Sequence, residues 1–212
     1  MRIYKLFVLC LPALLPAAVI TDPAQAGGTG TVTAVVSTPS PDNGNPAGVS
    51  TNTLSLTETI GAYNGSFDAF AVSVELPESG GRTEYFVTKS ITNLTTFTWS
   101  AFAVGVGCNP AGMVQCEFFD PLLMDYDVAP TITGSGTMGA VLTANPIMFR
   151  FDGLGIAPGD SMQLTFSLGT CDNCQGSWQI SQQAFETPEP ATLALVGVAL
   201  LLTGVCRRKR PH

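Results

Sequence analysis

The chain has 212 residues, of which 9 are basic and 16 acidic, giving a formal charge of −7 with only 12% of positions charged. Apolar types reach 45%, alongside 22 glycines and 15 prolines; this excludes an apolar-poor disordered chain, and the acidic balance excludes a basic nucleic-acid binder. The length holds one domain, at most two.

Residues 1–26 are predicted to be a secretory signal peptide. Arg2 and Lys5 give the positive start, residues 6–15 form an apolar run broken only by Pro12, and Ala24-Gln25-Ala26 offers the small side chains a signal peptidase accepts. Cleavage after Ala26 would leave Gly27 at the new N-terminus. Cys10 lacks the small preceding residues of a lipidation site.

From residue 27 to 187 no stretch sustains the 3.6-residue apolar spacing of a helix, while period-two alternation recurs. Residues 27–50 are rich in Gly, Thr, Ser and Pro, with Val32, Ala34 and Val36 spaced for a first strand. Leu54 and Leu56 alternate with threonine and serine, and Phe70, Val72, Val74 and Leu76 follow the same rule. Residues 97–106 are apolar on both parities, which predicts a central strand covered on both faces, or a strand with a bulge near Ser100. Ile147, Phe149 and Phe151 share one face of a strand, as do Leu164, Phe166 and Leu168. Turn chemistry bounds these runs, as at Asn64-Gly65, Asp152-Gly153 and Pro158-Gly159-Asp160. Seven to nine short strands predict an all-β fold, an antiparallel β-sandwich of jelly-roll or Ig-like type. Residues 181–190 read as a polar linker.

The chemistry available to residues 27–187 is narrow. They contain no histidine, because the one in the chain is His212. A Ser-His-Asp or Cys-His arrangement therefore cannot form, nor can a histidine metal site. Four cysteines, Cys108, Cys116, Cys171 and Cys174, are disulfide candidates in an oxidising compartment. Sequence proximity favours Cys108 with Cys116 and Cys171 with Cys174, leaving crossed pairings, a redox Cys-x-x-Cys and a four-cysteine zinc site as alternatives. Asp120, Asp125 and Asp127 could supply oxygen ligands to Ca²⁺, a weak pattern because no regular calcium loop surrounds them. No motif nominates a catalytic carboxylate pair, so the expectation is a non-enzymatic protein. Trp99 and Trp178 read as core aromatics, with sugar stacking as the alternative.

The C-terminus carries the strongest pattern. Pro188-Glu189-Pro190 precedes an uncharged apolar segment, 191–206, and then the basic cluster Arg207-Arg208-Lys209-Arg210. As a helix, 191–206 would be about 24 Å long, a short transmembrane span. The four cations would hold this end on the cytoplasmic side while residues 27–187 lie outside. Two flanking prolines keep Glu189 extended.

In that order, these three parts resemble the PEP-CTERM sorting signal of Gram-negative bacteria. The resemblance implies recognition of Pro188, Glu189 and Pro190 by an exosortase, a membrane-embedded cysteine protease or transpeptidase, with removal of the tail on export. Segments 93–107 and 151–168 loosely resemble ectodomain strands common in such proteins. The family implies an envelope or extracellular matrix protein associated with exopolysaccharide or biofilm. The alternative is a carbohydrate- or calcium-binding adhesive module. Expected partners are signal peptidase, exosortase, the cytoplasmic membrane and exopolysaccharide, with no nucleic acid. Residues 27–187 hold three basic and fourteen acidic residues, a net charge of −11. The mild charge of the whole chain thus conceals a strongly acidic domain between two basic ends.

Overall fold

The computed structural model describes residues 19–41, 51–62, 70–76, 81–107, 122–145, 147–170 and 176–186. These form twelve strands: β1 Thr21–Gly27, β2 Thr29–Ser37, β3 Thr53–Ala62, β4 Phe70–Leu76, β5 Glu84–Asn93, β6 Trp99–Gly107, β7 Leu122–Asp125, β8 Thr131–Gly134, β9 Val141–Asn145, β10 Met148–Ile156, β11 Ser161–Thr170 and β12 Gly176–Glu186. One sheet runs β1-β4-β12-β6-β10-β9; the other runs β2-β3-β5-β11-β7, with β8 beside β7 on the free edge of β11. The inner faces share one core. Leu54, Leu56, Val87 and Leu164 from the second sheet are buried together with Val72, Phe102, Val104 and Ile180 from the first. Phe149 of β10 meets Phe166 of β11 edge-on, 5.1 Å between centroids, across the two layers.

The period-two runs behave as their sequence requires. Along β11, Met162, Leu164, Phe166 and Leu168 are buried while Ser161 and Gln163 are exposed. In β6 every residue but Ser100 is buried, because β12 lies on one side, β10 on the other, and both faces are covered. The predicted bulge is present. The β12 register steps from Ala101 opposite Phe185 to Trp99 opposite Glu186, skipping Ser100. The Ser100 hydroxyl then donates toward the carbonyls of Phe185 and Glu186, at 3.1 and 2.9 Å.

Four sequence expectations are corrected. There are twelve strands among the described residues rather than seven to nine, and Asp152-Gly153 lies inside β10 rather than at its boundary. The sheets are not wholly antiparallel, since β3 and β5 run parallel. Between them the chain crosses to the other sheet to form β4, and such an excursion returns it in its original direction. The stretch from 181 onward is no linker up to residue 186. Ser181, Gln182 and Gln183 are buried inside β12, and their polar side chains had masked a strand that β4 and β6 flank.

The predicted cleavage residues Ala24 and Ala26 fall within β1, where Ala24 sits opposite Ser73 of β4. Ile20, just upstream, is buried, and its N–H donates to the Tyr85 hydroxyl at 2.9 Å. Thr38 Oγ1 shares a second hydrogen bond with that hydroxyl at 2.9 Å. Burial pushes the Tyr85 phenol above its ordinary pKa, and these two bonds oppose the shift.

The two segments 93–107 and 151–168 meet at one corner. Asn93 is fully buried, and its amide nitrogen donates to the carbonyls of Phe97 and Ile156, each at 3.0 Å. Its backbone N–H donates to Asp160 O at 2.9 Å, and Gly159 N–H returns a bond to Asn93 O at 2.7 Å. Asn93 Oδ1 accepts from the backbone N–H and hydroxyl of Thr95, and Trp99 Nε1–H donates to Thr95 Oγ1 at 3.1 Å. The short polar run before Trp99 thus satisfies buried backbone groups where two strands leave the core.

Among the described residues no helix is long and apolar enough to cross a membrane. The predicted span 191–206 lies outside them, as do Pro188, Glu189, Pro190, the basic cluster 207–210, the four cysteines and Asp120.

Candidate functional site

Three carboxylates converge on the outer face of the second sheet. Glu84 opens β5 opposite Gly169 of β11, and Asp125 closes β7 opposite Ser167 of β11. Positions 167 and 169 share a face because side chains alternate along a strand. Glu84 and Asp125 therefore reach toward each other from the two strands flanking β11. Gly169 has no side chain to stand between them; a Cβ there would already lie 3.7 Å from Asp125 Oδ2.

Asp127 joins them through a tight turn, in which its N–H donates to Asp125 Oδ1 at 3.0 Å. The Ser167 hydroxyl donates to the Asp125 carbonyl and fixes the end of β7. Ligand oxygens of Glu84, Asp125 and Asp127 all lie within 4.8 Å of one another. Glu84 is buried, Asp125 half-buried and Asp127 exposed. Hard oxygen donors at mixed depth suit a divalent cation such as Ca²⁺, which takes 6–8 oxygens from carboxylates, carbonyls and water. Of the sequence candidates, Asp125 and Asp127 come together. Glu84 was not among them, since it lies on another strand and no local spacing links it to β7.

The tryptophans take the core role. Trp99 is 0% and Trp178 9% exposed, so neither offers an open ring face for a sugar. On the first sheet, Arg150 lies 4.0 Å over the Phe185 ring and pairs with Asp152, Nη2 to Oδ1 at 2.6 Å. This is ordinary surface pairing. Near the strand end at Asn145, the Tyr126 hydroxyl donates to the Asn145 and Met148 carbonyls. Burial raises that phenol's pKa, with the Asn145 bond opposing.

Deep in the core a different pair stands out. Lys89 of β5 and Glu58 of β3 are 0% exposed, with Nζ 2.8 Å from Oε1. Burial pushes the lysine below its ordinary pKa, against the pull of the neighbouring carboxylate.

Comparison with known proteins adds one finding at the end of the chain. Residues 186–210 match the family described as the PEP-CTERM protein-sorting motif. No curated protein and no solved structure matches the chain.

Proposed function

We propose, from the PEP-CTERM protein-sorting motif that residues 186–210 carry, that this chain is an exosortase-sorted protein of a Gram-negative envelope. Its β domain, a sandwich of jelly-roll or Ig-like type, acts without catalysis as a surface or matrix component associated with exopolysaccharide or biofilm. The sorting motif is the observation that carries this reading. The lack of any histidine between residues 27 and 187 supports the non-catalytic part. Signal peptidase would remove the N-terminal segment, and the membrane would hold the C-terminal one until exosortase acts on it. The basic cluster Arg207–Arg210 keeps the tail from being exported outright.

Replacing Glu189 with alanine tests the sorting step, since it leaves the prolines and the apolar segment intact. The variant is expected to accumulate as an unprocessed, membrane-retained precursor when mass and location are followed in its own cells. Processing at the wild-type rate would overturn the exosortase assignment.

A second reading has its own observation. The convergence of Glu84, Asp125 and Asp127 favours a calcium-dependent adhesive role, in which the cation could bridge this acidic domain to an anionic polysaccharide. Calcium at a hundredfold excess over its Kd is expected to stabilise the domain by about 2.7 kcal/mol, read as a rise in Tm. Asp125→Asn should remove most of that rise. A wild-type Tm that ignores millimolar calcium would rule the site out.

A further inference from the structure

The Lys89–Glu58 pair has no evident reason to remain ionic. Both side chains project inward from neighbouring parallel strands, with Leu56 opposite Lys89 and Glu58 opposite Ile91. Leu54, Leu56 and Ile60 flank the carboxylate along β3, and Tyr85, Val87 and Ile91 flank the amine along β5; all are buried. Nζ and Oε1 are 2.8 Å apart. Yet beyond each other, neither Lys89 Nζ nor either Glu58 carboxylate oxygen has a hydrogen-bond partner among the described residues. A buried ion pair is sustained only when further hydrogen bonds satisfy its remaining donors and acceptors. This one has close contact without that support.

We propose that Lys89 and Glu58 condense into an intramolecular amide that staples β3 to β5. Proton transfer from the ammonium to the carboxylate first gives a free amine, the form that burial favours for Lys89, beside a carboxylic acid. The Nζ lone pair attacks Glu58 Cδ, a new N–C bond forms, and one Cδ–O bond breaks. The hydroxyl leaves with a proton from Nζ as one water. No oxidant, reductant or co-reactant enters, and atoms and charge balance.

The fold supplies what such a condensation needs. Two strands hydrogen-bonded side by side hold the nucleophile against the acyl carbon, converting a bimolecular step into an intramolecular one. Exclusion of water removes the competing solvation of both reactants and the solvent that would drive the reverse reaction. The product is a neutral amide, which leaves no charge in the core. The link also falls where hydrogen-bonded hairpin geometry gives no help. β3 and β5 are joined only through the excursion to β4 in the opposite sheet.

Trypsin reads the bond directly in the full chain purified from its exporting host and fully reduced. The basic residues between 6 and 150 are Arg82, Lys89 and Arg150. An unmodified chain therefore yields the free peptide 83–89. An amide-linked Lys89 is not cut, so peptide 83–150 should appear joined to the peptide ending at Arg82. The joined species should weigh about 18 Da, one water, less than the two together. Its recovery as the major product, with fragment ions locating the bond at Lys89 and Glu58, is the expected result. Free 83–89 as the major product overturns the proposal, and because this readout uses the unaltered chain it does not depend on any variant folding. Glu58→Gln gives a second, independent check. It should reach the same amide by losing ammonia, whereas Glu58→Ala should give free 83–89; linkage in the alanine variant would refute the assignment to Glu58.

Discussion

Trp99→Ala is expected to cost about 3–5 kcal/mol of stability, the range for emptying a fully buried aromatic site. The indole is 0% exposed and stacks on Phe102, 5.4 Å between centroids with 29° between planes. Its removal leaves a cavity that β10 and β12 cannot close, because both are fixed in register on either side of β6. The polar end matters too. Nε1–H is the donor that Thr95 Oγ1 accepts, and Thr95 in turn caps Asn93. Trp99→Phe keeps most of the volume and loses only that bond, so it should cost about 1–2 kcal/mol. Urea unfolding of the two variants measures both numbers. A loss below about 1 kcal/mol for Trp99→Ala would mean that the indole does not fill the core.

The second large effect lies at the buried pair. Lys89→Met leaves the Glu58 carboxylate alone among leucine and isoleucine, and stranding one member of a buried pair in this way costs about 3–5 kcal/mol relative to the unlinked pair. Adding Glu58→Leu to Lys89→Met removes the stranded charge as well, and apolar replacements of a whole buried pair are often neutral or stabilising. The double variant should therefore be the more stable of the two, by several kcal/mol. Neither variant is able to form an amide, so their difference reports the buried charge alone. Equal stability would show that Glu58 finds water or another partner once Lys89 is gone. Including Glu58→Leu alone completes a double-mutant cycle between residues in direct contact, where non-additivity is expected.

Lys89 also explains a strand that sequence patterning overlooks. In β5 the inward positions are Tyr85, Val87, Lys89 and Ile91, and a lysine in the middle of that face breaks the apolar alternation on which strand recognition rests. Gln182 does the same in β12, between Ile180 and Ala184. By contrast β4, β6 and β11 were legible because their inward residues are uninterrupted, and β3 was legible only through Leu54 and Leu56, before Glu58 breaks the same face. The bulge at Ser100 was legible for a related reason: apolar residues changed parity there. The parallel pairing of β3 with β5 was not, since register between strands distant in sequence is set by the packing of the whole core.

The acidic cluster was half legible. Asp125 and Asp127 stand close together in sequence, and a two-residue spacing suffices for an Asp side chain to cap the backbone of the turn. Glu84 enters only because β11 lies between β5 and β7 and carries a glycine at the crossing point. No one-dimensional pattern encodes that meeting. Sorting was legible because its signal is linear by nature, a short ordered series of proline, apolar and basic segments.

The position of β12 governs how a tethered domain bears load. The sorting motif begins at residue 186, the last residue of β12, so a pull on the tail enters the fold along that strand. Gln183 to Glu186 are laddered to β6 alone, but Gln179 to Gln182 are laddered to β4 on one side and β6 on the other. Tension directed along an interior strand loads the hydrogen bonds of both ladders together in shear, whereas tension on an edge strand would peel one ladder bond by bond. A pull that enters through the tail is thus resisted by two ladders at once rather than by one.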